Sequence, residues 1–421
     1  MARLKPQIVF PIAISAASAV GLAKTLLLAA ILAPEDFGRY AAFIGIAVVA
    51  TVLISFGRIE RTTKAWPRAW EAGGFDFLRA DYAQAMRVLA GRGLALSAIG
   101  LMLAGFGLAG GAFGSITASG IALGSLLIVP GAVLLLTASG LRAAGSMRKL
   151  LAFTAARSGL TLLLATPLAW ITGWQGALAG ELVGQGLVAI WSWATVRRFF
   201  SGGAAGDGFA EGAMAVSHGR TLYASNLVGS LVPFGGRGFV ALIADAAMAG
   251  AYAVAMVFVQ VAQMFAGSVA QREGPLVIKL AQRGEIGLLR RLAIPALLMV
   301  LLAGGSFAIF MLSLAFPPAR AFWDSYALGP IAIGMTAIAM LAAFHLQLSF
   351  LLLAFDAERH VLAGSILSAL VTYAGFLVAA AYGAGAAGFV AGVALGESLR
   401  ALYMLGVYRM LRGARDRSAP G

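Results

Sequence analysis

Apolar residues run along this chain in blocks of about 20, the length a helix needs to cross the hydrocarbon of a bilayer, and each block ends at a short polar or glycine-bearing connection. Twelve such blocks lie near 8–33, 40–57, 89–110, 117–141, 150–171, 176–196, 219–244, 249–270, 292–316, 327–354, 361–382 and 385–408. None shows the two-residue alternation of a membrane β-barrel, and Gly and Ala are spread through all of them, which allows helices to approach closely. The first block is too long, and wrongly flanked, for a cleaved signal peptide. The pattern predicts an all-α polytopic membrane protein with twelve transmembrane helices.

Composition agrees: 61% of residues are hydrophobic and 11% charged, a balance that excludes a water-soluble globule. The net charge of +14 adds orientation. With the N-terminus inside, only Arg39 and Arg320 among the Lys and Arg fall outside. Lys24, Arg157, Arg237 and Arg400 sit within spans, and the rest are cytoplasmic. That asymmetry predicts two cytoplasmic termini. The basic charge is therefore read as topology and contact with anionic lipids at the cytoplasmic face, with no nucleic-acid partner. No phosphate-binding glycine loop, metal-spaced His/Cys/Asp cluster or nucleophile motif occurs, so no enzyme activity, catalytic residue, metal or cofactor is expected. In the cytoplasmic stretch 61–88, Phe75, Leu78, Tyr82, Met86 and Leu89 recur at helical spacing, which reads as an interfacial helix on the inner leaflet.

The chain also repeats itself. A constant offset of 212 residues lays Gly38-Arg39-Tyr40-Ala41 over Gly250-Ala251-Tyr252-Ala253 and Arg79 over Arg291. The same offset matches Gly176, Ala179, Gly180 and Gly184 to Gly388, Ala391, Gly392 and Gly396, then Arg197 to Arg409. Six spans per half is an even number, so the halves enter the membrane in the same direction, as two parallel six-helix repeats. A Gly/Ala-rich linker near 200–216 separates them, giving lobes 1–205 and 206–421.

Several polar residues sit where lipid-facing ones would be costly. Lys24 lies midway along span one. A charge at mid-bilayer costs roughly 2.5–3.5 kcal/mol even on lenient scales, and such residues mark cavities or partners. In span seven, Asn226, Ser230, Pro233 and Arg237 share one helix face, and the stretch "VPFGGRGF" predicts a kink or local unwinding. Irregular backbone at that depth survives only where it is buried or lines a cavity. The offset pairs Ser230, Pro233 and Arg237 with Ser18, Gly21 and Thr25 of span one, beside Lys24. Gln260, Gln263 and Gln271 form one face of span eight, and Thr51, Ser55 and Arg58 occupy comparable positions in span two. Such surfaces suit hydroxyl-rich sugars as well as helix–helix packing. Glu181 is a candidate proton or cation site, whereas Glu397 and Arg400, three residues apart, neutralise each other.

Twelve spans in two lobes, the loop "LAPEDFGRYAAF", "FGRIERTTK" after the second span and "ADAAMAGAYAVA" at the corresponding place in lobe two resemble the Wzx-type oligosaccharide flippases. These form a branch of the multidrug/oligosaccharidyl-lipid/polysaccharide (MOP) exporter superfamily. The resemblance implies a V-shaped pair of lobes with alternating access. It also implies a bacterial inner-membrane location and, as cargo, short oligosaccharides on an undecaprenyl pyrophosphate carrier, moved for lipopolysaccharide or exopolysaccharide assembly. On that reading Lys24, Arg237 and Arg58 bind pyrophosphate. Ser18, Thr25, Thr51, Ser55, Asn226, Ser230, Gln260, Gln263 and Gln271 line the cavity, and Glu181 couples transport to an ion or proton. Polysaccharide polymerase and glycosyltransferases are the implied partners. Two alternatives stay open: a cation-coupled multidrug (MATE-like) antiporter of the same superfamily, and a non-transporting scaffold of a polysaccharide assembly complex.

Overall fold

The computed structural model describes residues 6–201, 220–283, 287–355 and 357–418. Side chains at 6–16, Ser18, Lys64, Met147, 268–295, Ala354 and 414–418 lie outside that description. Among the described residues, ten helices are long and apolar enough to cross a membrane, and no strand occurs. The difference from twelve has a local cause. Spans five and six are two helices that follow each other without a loop, separated where Thr172 and Gly173 leave helical geometry, and they count as one stretch, Met147–Ser201. Gly173 has φ 69°, a left-handed conformation that glycine adopts without strain. Span one is the 26-residue helix Pro6–Ile31, of which Ala19–Ile31 is the apolar stretch among the fully described residues.

The chain divides into two compact units, Met1–Ser230 and Leu231–Gly421. The first contains α1 (Pro6–Ile31), α2 (Pro34–Ser55), α3 (Arg58–Glu71), α4 (Phe75–Ala109), α5 (Ser115–Leu126), α6 (Ile128–Ala143), α7 (Met147–Ser201) and α8 (Arg220–Ser230). Pro34 opens α2 with Glu35 and Asp36 in its first turn, a start favoured by the fixed proline φ and the positive end of the helix dipole. Helices α1 and α6 both pack on α7. The boundary falls beyond the expected 205/206 seam because α8 packs against α2 of the first unit. Past Ser201, the linker residues lie outside the described residues.

The second unit begins with a π-helical turn, Leu231–Gly235, followed by α9 (Gly236–Ile243), α10 (Ala246–Arg283), α11 (Gly287–Ser313) and α12 (Pro317–Ser325). It ends with α13 (Pro330–Ala342), α14 (His345–Ala354), α15 (Glu358–Ala381) and α16 (Gly385–Ser418). The expected break in span seven is this π turn, with Pro233 at its centre. Asp245 caps α10, its Oδ1 accepting from the Met248 amide at 2.6 Å.

Segment 61–88 differs from expectation. Thr62, Ala65, Trp66 and Ala69 form the buried face of α3, which packs on α6, and Leu78, Tyr82 and Leu89 of α4 join the same core. The stripe that reads as lipid-facing is turned inward, because Trp66 fits edge-on against Tyr82 and Phe200. Its indole Nε1 also donates to Asp81 Oδ2 at 2.9 Å. Exposed Trp170, Ile171 and Leu242 are among the residues available to lipid.

The glycines matched by the repeat do matching jobs. A Cβ on Gly180 would overlap the backbone of Leu164 and Ala165 in the first half of α7; one on Gly392 would meet Thr372 and Gly375 of α15. Gly184 likewise faces Thr161, and Gly396 faces Ser368 and Thr372. Each unit thus closes its last helix pair through small residues that admit backbone-to-backbone contact. Gly180→Ala is expected to destabilise the protein by roughly 1–3 kcal/mol through overpacking. Gly186→Ala, where no atom lies within 4 Å of the new methyl, is expected to be neutral or stabilising. Thermal unfolding of the two purified variants in detergent decides: equal melting temperatures would contradict this packing.

Candidate functional site

In the first unit the charge on α1 is answered by a charge on α7. Lys24 Nζ forms an ion pair with Glu181 Oε1, and both residues are buried. Tyr40 of α2 donates its hydroxyl to the same Oε1 at 2.8 Å, and Gln185 Nε2 donates to Oε2 at 3.1 Å. Lys24 also reaches Thr161 Oγ1 at 3.4 Å, and Thr161 donates to the Arg157 carbonyl one turn earlier at 2.8 Å. Three donors on three helices therefore hold one buried carboxylate, which is how an ion survives outside water. Sequence reading treats Lys24 as a cation in search of an anionic substrate and Glu181 as a separate coupling residue; the structure joins them.

The repeat shows what the second unit does at the same places. Lys24, Tyr40, Thr161 and Glu181 correspond to Gly236, Tyr252, Tyr373 and Val393. With neither cation nor carboxylate present, Tyr252 donates to the Val232 carbonyl at 2.7 Å and Tyr373 to the Leu231 carbonyl at 3.0 Å. Both acceptors lie in the π turn, where the regular ladder is interrupted. A side chain on Gly236 would meet the Tyr252 hydroxyl, so glycine there leaves room for this bond. Arg237, next along, is buried, with its guanidinium carbon 5.4 Å from the Phe234 ring centroid.

The second unit's own charges sit about one turn further along α16. Glu397 Oε2 lies 3.7 Å from Arg400 Nη1, the expected i,i+3 pair, and 3.2 Å from His345 Nδ1. Ser368 donates to Glu397 Oε1 at 3.0 Å, and Arg400 Nη2 donates to Ser365 Oγ at 2.9 Å. His345 also contacts the Ala342 carbonyl at 3.0 Å, so it is packed and partnered.

The remaining candidates are dispersed. Arg58, at the start of α3, pairs with Asp81 at 3.2 Å, and Arg61 shares that carboxylate at 3.4 Å. Burial lowers the pKa of the Arg58 guanidinium from its ordinary value and Asp81 opposes the shift. Asn226 donates to buried Glu60 at 2.9 Å, while Thr25, Thr51 and Ser230 donate to carbonyls of their own helices. Ser55 Oγ and Gln260 Nε2 are buried without a hydrogen-bond partner among the described residues, and Gln263 is half-buried. The side chains of Ser18 and Gln271 lie outside the described residues.

A pocket opens beside the first ionic network. Ile44, Ala47, Val48, Thr51 and Val52 of α2, Leu127, Gly131 and Leu135, and Arg157 and Gln185 of α7 line it. Of the expected cavity residues, Thr51 reaches it. Arg157 and Gln185 are residues that sequence reading passed over as site residues, although Arg157 is one of only four mid-span cations and carries that signal.

No family model and no curated protein matches the sequence. Solved structures do match in fold. An inward-facing multidrug resistance MATE family transporter of the MOP superfamily superposes with a TM-score of 0.72 at 14% identity, over 98% of this chain and 99% of that one. A MOP superfamily transporter from Pyrococcus furiosus, reported to have reverse polarity of the binding pocket and hence a suggested different function, gives 0.62 at 14%, over 97% and 95%. The Vibrio cholerae MATE transporter VcmN in its bent form gives 0.60 at 15%, over 97% of each chain. With ten apolar helices, the chain is a multi-pass membrane protein that has the MATE/MOP transporter fold.

The contrast between the two tyrosines is testable. Tyr40→Phe removes a donor to a charged carboxylate and is expected to cost about 1.5–3 kcal/mol, whereas Tyr252→Phe removes a neutral bond and costs about 0.5–1.5 kcal/mol. Melting temperatures of the two variants in one detergent should rank in that order; the reverse order would contradict the assignment of a charged acceptor to Tyr40 and a neutral one to Tyr252.

Proposed function

We propose that this chain is an alternating-access membrane transporter for an anionic, lipid-linked cargo: an oligosaccharide on undecaprenyl pyrophosphate, translocated across the bacterial inner membrane for surface polysaccharide assembly. The observation that carries the charge preference is the state of the mid-span acids. Glu181 is held by Lys24 and Glu397 by Arg400, each inside its own unit. Neither carboxylate stands open to a cationic drug, and Arg157 remains as a cation beyond those two pairs. A surplus of buried positive charge favours an anion, and a guanidinium matches phosphate oxygens bidentately. In this reading Arg237 is a pyrophosphate ligand beside the π turn, and Arg58 supplies cationic charge at the α2–α3 turn. Glu181 is the coupling group: when it takes a proton it gives up Lys24, which then becomes available to phosphate.

A cation-coupled multidrug antiporter is the second reading, favoured by the fold shared with multidrug resistance MATE transporters. The reversed pocket polarity reported for another MOP transporter supports treating cargo charge as a property of side chains and not of the fold.

One experiment separates the readings. A flippase-deleted bacterial strain carrying the wild-type gene is expected to regain surface polymer without gaining resistance to cationic drugs. Arg237→Ala at matched expression should abolish the polymer, and Arg237→Lys should restore only part of it, because a point charge cannot replace the planar fork. Drug resistance without polymer would establish the antiporter instead.

A further inference from the structure

Arg157 is the mid-span cation whose side chain the fold leaves unoccupied. Among the described residues it makes no hydrogen bond or ion pair, and the opposite charge it feels is Glu181, already held by Lys24, Tyr40 and Gln185. It lines the pocket between α2, α6 and α7 together with Gln185 and Thr51. Gln185 spends one amide hydrogen on Glu181, which leaves a carbonyl and a second N–H; Thr51 donates to Ala47 and retains its lone pairs. The opposite wall is hydrocarbon: Ile44, Val48 and Val52 follow one another by a turn on α2, with Leu127 and Leu135 beside them. A Cβ on Gly131 would come within 2.8 Å of Thr51 Oγ1, so glycine lets α6 approach α2 closely beside the pocket. The cavity is partly open, with a volume of about 80 Å³.

We propose that this pocket is an anion site of the first unit, in which the Arg157 guanidinium binds a phosphate group, the Gln185 amide donates to it, and the apolar wall takes the first part of the attached hydrocarbon. The cation count supports the sign: Lys24 and Arg157 face a single mid-span carboxylate, so the local charge is positive until an anion arrives. Amphipathic complementarity supports the class, because the pocket offers one cation, two neutral polar groups and an otherwise aliphatic lining, the profile of a lipid phosphate and not of a free sugar. The inference rests on the proposed flippase function only in naming the polyprenyl carrier as the source of that phosphate. A phospholipid headgroup presents the same chemistry, and the experiment distinguishes the two.

Full-length protein in phosphatidylcholine nanodiscs is titrated with farnesyl pyrophosphate, a soluble polyprenyl pyrophosphate, and with farnesol as the uncharged control. Saturable binding of the pyrophosphate and none of farnesol is expected. Arg157→Gln should weaken binding by about tenfold or more, and Arg157→Lys should weaken it less. Val48→Phe, which fills the pocket from its half-buried apolar wall without touching a charge, should weaken it as much as Arg157→Gln, while a retained melting temperature certifies the fold of each variant. In parallel, nanodiscs containing phosphatidylglycerol test the headgroup. If farnesyl pyrophosphate does not bind but phosphatidylglycerol associates in an Arg157-dependent way, the phosphate site stands and the polyprenyl carrier assignment falls. Equal binding of every phosphate probe to wild type and Arg157→Gln, or no binding of either probe, overturns the proposal.

Discussion

A buried ion pair between the first and last long helices of one unit constrains much of what this chain can do. Taking two charges out of water is expensive, and their attraction repays the cost only when the remaining polar atoms are also satisfied. Glu181 meets that condition through Lys24, Tyr40 and Gln185, drawn from α1, α2 and its own helix. The pair fixes the lateral position of α1 against α7, places Gln185 at the edge of the α2–α6–α7 pocket, and uses up the one mid-span carboxylate of the unit. Arg157 is then left as the cation that defines the pocket's sign. Removal of either partner would leave an unpaired charge in a low-dielectric interior, a large penalty, so the pair is locked unless a proton or an anion intervenes.

At the positions 212 residues beyond Lys24 and Glu181, the second unit carries no charge. Where the first unit has Lys24 and Glu181, the second has Gly236 and Val393. Its two tyrosine hydroxyls serve carbonyls of a π turn. Its carboxylate has moved to Glu397, in register with Gln185, and is held by Arg400, His345 and Ser368. The two units have similar glycine-closed helix pairs and different polar interiors.

Much of this was legible in the sequence, and what was not has a common cause. Apolar block length predicts the helices, and the "VPFGGRGF" stretch predicts the break that the structure shows as a π turn, because both signals are local. The matched glycines were visible because a fixed offset ties them together. The Lys24–Glu181 pair was not, since nothing periodic links two residues 157 positions apart, and alone Lys24 reads as a substrate ligand and Glu181 as a coupling site. Segment 58–89 misleads for another reason: an apolar helical face has the same pattern whether it meets lipid or a protein core, and only the fit of Trp66 against Tyr82, Phe200 and Asp81 decides. Arg157 was counted as intramembrane but not as a ligand, because its freedom depends on Glu181 being occupied elsewhere.

The most direct test is reversal of the central pair. Lys24→Glu and Glu181→Lys are made separately and together, and the folded fraction and melting temperature of each are measured in one detergent. Each single reversal buries two like charges side by side and should unfold or strongly destabilise the protein, whereas the double reversal should recover most of the lost stability, since it restores opposite charges at the same places. A double variant no more stable than the worse single variant, or single variants that melt like wild type, would show that this pair does not hold the first unit together.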